Sequence, residues 1–293
     1  MRKLGFGRSG FVSMVGAIMV LGSAGASQVD AAALLLKAGT AATNNVADLA
    51  RRQNTPAHVA GSVPLTDLSN FSNFVTADRA SGLIYSDSTA ATGVALDLAA
   101  ANGTSTTVPS ALAFGATPQP SSNIAGGIAP GGMYGPTPTT TLNGATWQSS
   151  GSASTFSTVG ARITGLAFGE YLVYVTGRNT NAGSGTNSEN ISIEATGLVS
   201  AYSVPTTGLL AMSNTTNASW IEGNTYVVST VTIDAINPAI TVTATGSVSD
   251  KRGFLNSIEI VPVEAAVPEP ATGALLALAA GTLLVRRRSA MQA

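Results

Sequence analysis

Apolar residues that return at every second position are the feature that most restricts how this chain folds. Ile191, Ile193 and Ala195 alternate with Ser192, Glu194 and Thr196, and Ile240, Val242 and Ala244 alternate with Thr241, Thr243 and Thr245. A period of two puts all the aliphatic groups on one side of an extended chain, so both stretches are expected to be strands with one wet face. FLNSIEIVPV sets Phe254, Ile258 and Ile260 on one side and Glu259 on the other. YVVSTVTI, from Tyr226 to Ile233, is rich in β-branched residues and long enough for a core strand. GEYLVYVTGRN is apolar on both faces, with Tyr171, Val173 and Val175 on one and Leu172 and Tyr174 on the other. Such a strand is central in its sheet, or its second face lines a groove.

Few helical signals compete with this reading. Only Asn44 to Arg52 spaces its apolar residues as an amphipathic helix does. In the first half, AALLLKAG (Ala32 to Gly39) reads as the opening strand, and SGLIYSDS (Ser81 to Ser88) and GVALDLAA (Gly93 to Ala100) as two more. From Gly103 to Gly144 the chain is Pro, Gly, Thr and Ser with sparse apolar anchors, either a long decorated loop or an interior crossing segment. Short alternating strands separated by Gly/Asn/Ser turns point to an all-β fold, a β-sandwich of jelly-roll type.

The ends differ from this body. Arg2, Lys3 and Arg8 precede an apolar run from Phe11 to Leu21 and the small residues Ala24-Gly25-Ala26. That is the layout of a cleavable secretory signal, with the cut after Ala26 or near Ala31 to Ala33. At the other end, 15 uncharged residues from Ala271 to Val285 run directly into Arg286-Arg287-Arg288. The run is shorter than the roughly 17–25 residues of an ordinary span, but Val267 to Pro270 extend it. The arginines hold the near side of the membrane.

Between these ends, residues 27 to 270 carry 15 acidic against 8 basic groups, a net of −7. A mildly anionic body has no electrostatic footprint for nucleic acid or anionic lipid. With no Cys in the chain, disulfides, thiolate metal sites and a cysteine nucleophile are excluded.

Val267-Pro268-Glu269-Pro270, the apolar helix and the arginine cluster together resemble the PEP-CTERM sorting signal. That resemblance implies recognition by an exosortase, a membrane-embedded cysteine transpeptidase-like enzyme, with release of the body to the cell surface or an exopolysaccharide matrix. Pro268, Glu269 and Pro270 would then be the recognition element. The alternative is a plain single-pass anchor. The strand order from Ala161 to Val263 also resembles galactose-binding-like β-sandwiches related to carbohydrate-binding modules, a likeness of rhythm without a diagnostic motif. The expected organisation is a signal peptide (1–26), the N-terminal part of a sandwich with its long loop (27–160), the C-terminal strands (161–264) and the sorting signal (265–293).

Chemistry is thin. His58 is the single histidine and no G-x-S-x-G elbow accompanies it. One His and no Cys exclude a structural zinc site. Asp87, Asp97, Glu170, Glu189, Glu194 and Glu222 are the acids available for a carboxylate pair; Glu194 lies on the expected wet face and reads as solvated. A Ca²⁺ site of carbonyls and one or two acids is open to such a fold, but no D-x-D-x-D loop specifies it. No other cofactor is expected. For sugar binding the candidates are Trp147, Tyr174 and Trp220 as stacking faces and Glu222 beside Trp220; core packing is the competing role for both tryptophans. Five N-x-S/T matches, at Asn70, Asn102, Asn190, Asn214 and Asn217, are expected mostly by chance in a chain so rich in Thr and Asn. The sequence thus favours a non-enzymatic, surface- or matrix-associated protein of structural or adhesive role. A carbohydrate-binding module with a defined glycan pocket is the first alternative, and a secreted hydrolase the second.

Overall fold

The fold is described by a computed structural model, for residues 32–38, 55–61, 73–115, 121–123, 146–148, 152–177, 188–213, 220–247 and 250–263. These residues are essentially all β. Fifteen strands run in the order β1 (Leu34–Ala38), β2 (Asn73–Val75), β3 (Ala95–Asn102), β4 (Ala111–Ala113), β5 (Ser121–Asn123), β6 (Thr146–Gln148), β7 (Ser157–Thr164), β8 (Gly169–Thr176), β9 (Glu189–Thr196), β10 (Ala201–Ser203), β11 (Leu210–Met212), β12 (Val227–Ile233), β13 (Ala239–Gly246), β14 (Phe254–Leu255) and β15 (Ser257–Pro262). A single helical turn, α1 (Pro56–Val59), lies between β1 and β2.

Two five-stranded sheets contain ten of the fifteen strands. The first has the order β12-β8-β15-β1-β2 and the second β11-β9-β13-β7-β3. Every pairing in them is antiparallel except β1 with β2. One apolar core joins their facing sides, with Leu34, Leu36, Val173, Val175, Ile258 and Ile260 from the first sheet and Leu98, Ala161, Ile163, Ile191, Val242 and Ala244 from the second. The architecture is therefore sandwich-like, because each sheet hides its inward aliphatic positions against the other.

The two-sided pattern of β8 has its expected consequence: the strand is central, between β12 and β15. AALLLKAG supplies β1, and GVALDLAA supplies β3. Four expectations need correction. Ser81 to Ser88 forms no strand but a turn with one bridge, Ile84 to Ala90, and Ser88 adopts φ 74°. YVVSTVTI is an edge strand, with Val227, Val231 and Ile233 buried and Thr230 and Thr232 exposed. FLNSIEIVPV breaks at Asn256, so Leu255 joins Ile258 and Ile260 in the core, while Phe254 pairs with Gln148 of β6. The wet face of β13 is dry: all eight of its residues are buried, Thr241, Thr243 and Thr245 among them. Asn44 to Arg52 and most of Gly103 to Gly144 lie outside the described residues, as do both termini.

The dryness follows from further layers on the outer faces. Above the second sheet, β4 pairs with β10 and carries Leu112, Phe114, Tyr202 and Val204 onto Ala99. Gly160 of β7 makes the approach possible, since a Cβ there would lie 2.5 Å from Leu112 Cδ1. Outside the first sheet, Ala57 of α1 packs on Leu35, Tyr174 and Val261.

Candidate functional site

The residues singled out from sequence do not converge. Trp147 is fully buried in the shared core, and its indole N–H donates to the Val75 carbonyl at 2.9 Å. Both faces of its ring are thus covered. Trp220 is 9% exposed. Tyr174, Tyr226 and Glu222 do come together on the outer side of the first sheet. The two phenol rings lie 5.9 Å apart, tilted at 45°, and Glu222 bridges to Tyr226. Burial raises the Tyr226 phenol, and the charge of Glu222 adds to it. Tyr174 is buried there and Glu222 exposed, so the group offers one carboxylate and the edge of a half-buried ring. The His58 side chain and Val267, Pro268, Glu269, Pro270, Arg286, Arg287 and Arg288 lie outside what is described.

The acids are spread over separate structural tasks. Asp97 forms an ion pair with Arg162 at 2.8 Å, whose guanidinium sits 4.5 Å from the Phe114 ring centre. Glu194, expected to be solvated, accepts a hydrogen bond from the Tyr202 hydroxyl at 3.0 Å. Asp87 accepts from the Thr89 N–H and hydroxyl within its turn. Asp250 binds Arg252 through two guanidinium nitrogens, at 2.7 and 2.9 Å. Glu170 is exposed on β8.

Two carboxyls are fully enclosed. Glu189 makes no well-formed hydrogen bond to a described residue. Desolvation pushes its carboxyl well above the ordinary value, helped by Asp250 and only partly offset by the Phe254 backbone and Arg252. Glu259 is also raised by burial, against the pull of Lys37, the Ala57 N–H at 3.0 Å and Thr55. Among the described residues, no three His, Cys, Asp or Glu side chains gather where a metal ion could be held.

The residues that do converge were not legible in sequence. A cavity of about 320 Å³ opens at one end of the outer face of the second sheet. Its wall is Asn190 from β9, Thr245 and Gly246 from β13, Ser247 just beyond, and the flanking Phe156, Pro205 and Leu209. Strand geometry explains the polar part, because Asn190 and Thr245 occupy outward positions next to the inward Ile191 and Ala244. The Thr245 hydroxyl is bonded to Thr158 at 2.7 Å, whereas Ser247 Oγ is buried without a described partner. Among the described residues, no charged side chain lines the cavity; Lys251 Nζ lies 4.9 Å from the ring centre of the lining Phe156. An uncharged wall with an aromatic ring, two aliphatic groups and several hydroxyl and amide donors suits a neutral polar ligand with an apolar face.

Comparison with known proteins adds no family. No protein-family model matches the chain, and no curated protein matches it.

Proposed function

We propose that this chain is an exported protein of the cell surface or exopolysaccharide matrix, sorted through a PEP-CTERM tail, with a structural or adhesive role and no catalysis of its own. The observation that carries the reading is Val267-Pro268-Glu269-Pro270 followed by an uncharged run and Arg286-Arg287-Arg288, in one chain with a signal-like N-terminus. In this reading 1–26 is a cleaved signal helix, 265–293 a sorting helix that spans the membrane transiently, and an exosortase is the partner. The body between them is a jelly-roll-like sandwich. That assignment draws support from the long strands β7, β8, β9, β12, β13 and β15, which alternate between the two sheets, and from the pairing of β1 with β15. The structural duties of Asp97, Glu194 and Glu259 favour a scaffold over a hydrolase.

The test replaces Pro268, Glu269 and Pro270 by alanines and follows the protein through cell fractionation. The reading expects the natural sequence outside the cell or in the matrix, and the variant held in the membrane. Identical membrane retention of both would leave only an anchor.

A second reading, glycan binding, is favoured by the cavity at Phe156, Asn190 and Ser247 rather than by the tryptophans. It expects saturable binding to purified exopolysaccharide that Thr206→Trp abolishes, since exposed Thr206 also lines that cavity, and that Trp220→Ala leaves intact. Binding lost in Trp220→Ala and kept in Thr206→Trp would move the site to the Tyr174 side.

A further inference from the structure

Large apolar side chains left in water are unevenly spread over this body. Among the described residues they are Phe168 (68% exposed), Leu198, Val199, Ile221 and Ile236 (80%). Scattered singly, such residues need no explanation, but a group of them marks a contact surface. Four of these five fall in three loops at one end of the sandwich. Phe168 lies between β7 and β8, Leu198 and Val199 between β9 and β10, and Ile236 between β12 and β13. Strand pairing brings the loops together. Thr164 and Thr196, which end β7 and β9, both oppose Ala239 at the start of β13, and Gly169 opposes Ile233. A Cβ on Gly197 would lie 3.6 Å from the Ile236 carbonyl oxygen. Ile221 precedes the other end of β12, where Val227 opposes Val175.

Each of the three loops is tied to the body. The Tyr171 hydroxyl donates to the Ala167 carbonyl at 2.8 Å, and the Arg162 guanidinium donates to the Val199 carbonyl. Asp234 Oδ1 accepts from the N–H groups of Ile236 and Asn237, at 2.8 and 2.7 Å. The chain also leaves the body at this end. β15 runs from Ser257, opposite Thr176, to Pro262, opposite Tyr171. Val263 N–H then donates to the Glu170 carbonyl at 2.8 Å, two residues from Phe168. β1 starts here too, with Leu34 opposite Ile260. Residues 264–270 are all that separates Val263 from the uncharged run of 271–285, a reach of at most about 25 Å.

We propose that this apolar tip, formed by Phe168, Leu198, Val199 and Ile236, rests in the interfacial layer of a lipid bilayer while the C-terminal run is inserted beside it. The proposal rests on the membrane reading of that run, but not on its being cut. Chain connection selects lipid as the occupant, because a segment of membrane character begins within about 25 Å of the tip and brings the bilayer to this end of the body. The headgroups are zwitterionic: Glu170 and Asp234 are exposed beside the tip, and the Arg162 guanidinium is paired with Asp97 at 2.8 Å. A shallow contact gains with the apolar area it covers and leaves the hydrogen bonds of the loops intact. The cavity at Asn190 and Gly246 then lies at the ends of β9 and β13 farthest from the bilayer.

Because the chain has no cysteine, single cysteines can carry a polarity-sensitive fluorophore without background. Phe168→Cys, Leu198→Cys and Ile236→Cys report on the tip, Ile221→Cys on the opposite end and Leu278→Cys on the tail. Each full-length variant is reconstituted in phosphatidylcholine vesicles, with and without phosphatidylcholine that bears a nitroxide near its headgroup. The three tip labels should shift to the blue and lose most of their emission to the nitroxide, and the Ile221 label should do neither. Phe168→Asp with Ile236→Asp, in the chain labelled at Leu198, should restore the spectrum of a label in water with unchanged thermal melting. Tip labels no more quenched than the Ile221 label overturn the proposal. So do tip labels shifted to the blue but not quenched, which would put protein against the tip in place of lipid. The Leu278 label reads the tail by itself, so a failure of the membrane reading and a failure of the tip contact are told apart.

Discussion

The outer side of the first sheet is closed by one helical turn, the outer side of the second by two three-residue strands. Under α1 lies a mixed layer: Leu35, Tyr174 and Val261 are apolar, while Lys37 and Glu259 are buried polar groups beside them. Beneath β4 and β10 the layer is aromatic and aliphatic, with Phe114 and Tyr202 edge to face at 6.1 Å, and the charged groups are paired at its border. The cavity at Phe156, Asn190 and Ser247 lies on this second side, at the end of the sheet. A short lid over a sheet thus accompanies both a second core and, at its margin, an open cavity.

The comparison can be broken by truncating each lid's main contact. Leu35→Ala and Leu112→Ala should each cost about 2–5 kcal/mol in urea unfolding, as buried leucines do. A face that is effectively wet would give a change within about 0.5 kcal/mol. Gly160→Ala comes next, at about 1–3 kcal/mol, because its Cβ would press on Leu112. In the Leu112→Ala background that cost should shrink, a coupling that unfolding of the double variant measures.

The buried acids sharpen the contrast through pH. Glu189 and Glu259 are both raised from the ordinary 4.5, so the folded chain keeps protons that the unfolded chain has released. Their contribution is complete below about 4.5 and is lost as pH rises from there toward the raised values. Melting temperature should fall over that window. Glu189→Gln should flatten most of the slope and Glu259→Gln less, since Lys37, Thr55 and Ala57 already favour the charged form of Glu259. The smallest expected effect is that of Tyr202→Phe, about 0.5–1.5 kcal/mol for the hydrogen bond to Glu194, again read from unfolding.

The legible parts of the fold were those where one strand carries its own answer. β8 is apolar on both sides and therefore central, and the leucines of β1 cannot be left in water. β13 was misread because threonine serves a wet face and a covered one equally well; what dries Thr241, Thr243 and Thr245 comes from distant segments. Glu259 was read on its correct side, but nothing in FLNSIEIVPV reveals that α1 descends on it. The cavity was invisible for the same reason. Phe156, Asn190, Thr206 and Ser247 are ordinary residues brought together only by pairing, and Asn190 drew notice solely as part of an N-x-S match. The conspicuous Trp147 proved to be the largest of the fully buried side chains, as expected where two tryptophans must serve a chain only 5% aromatic.

The central claim, that this all-β body is exported and cut free of its tail, is tested most directly by the intact mass of the protein recovered from the producing cells and their matrix. The account predicts a species that begins between residues 27 and 34 and ends near Pro270. A full-length species of 293 residues retained in the membrane would contradict it.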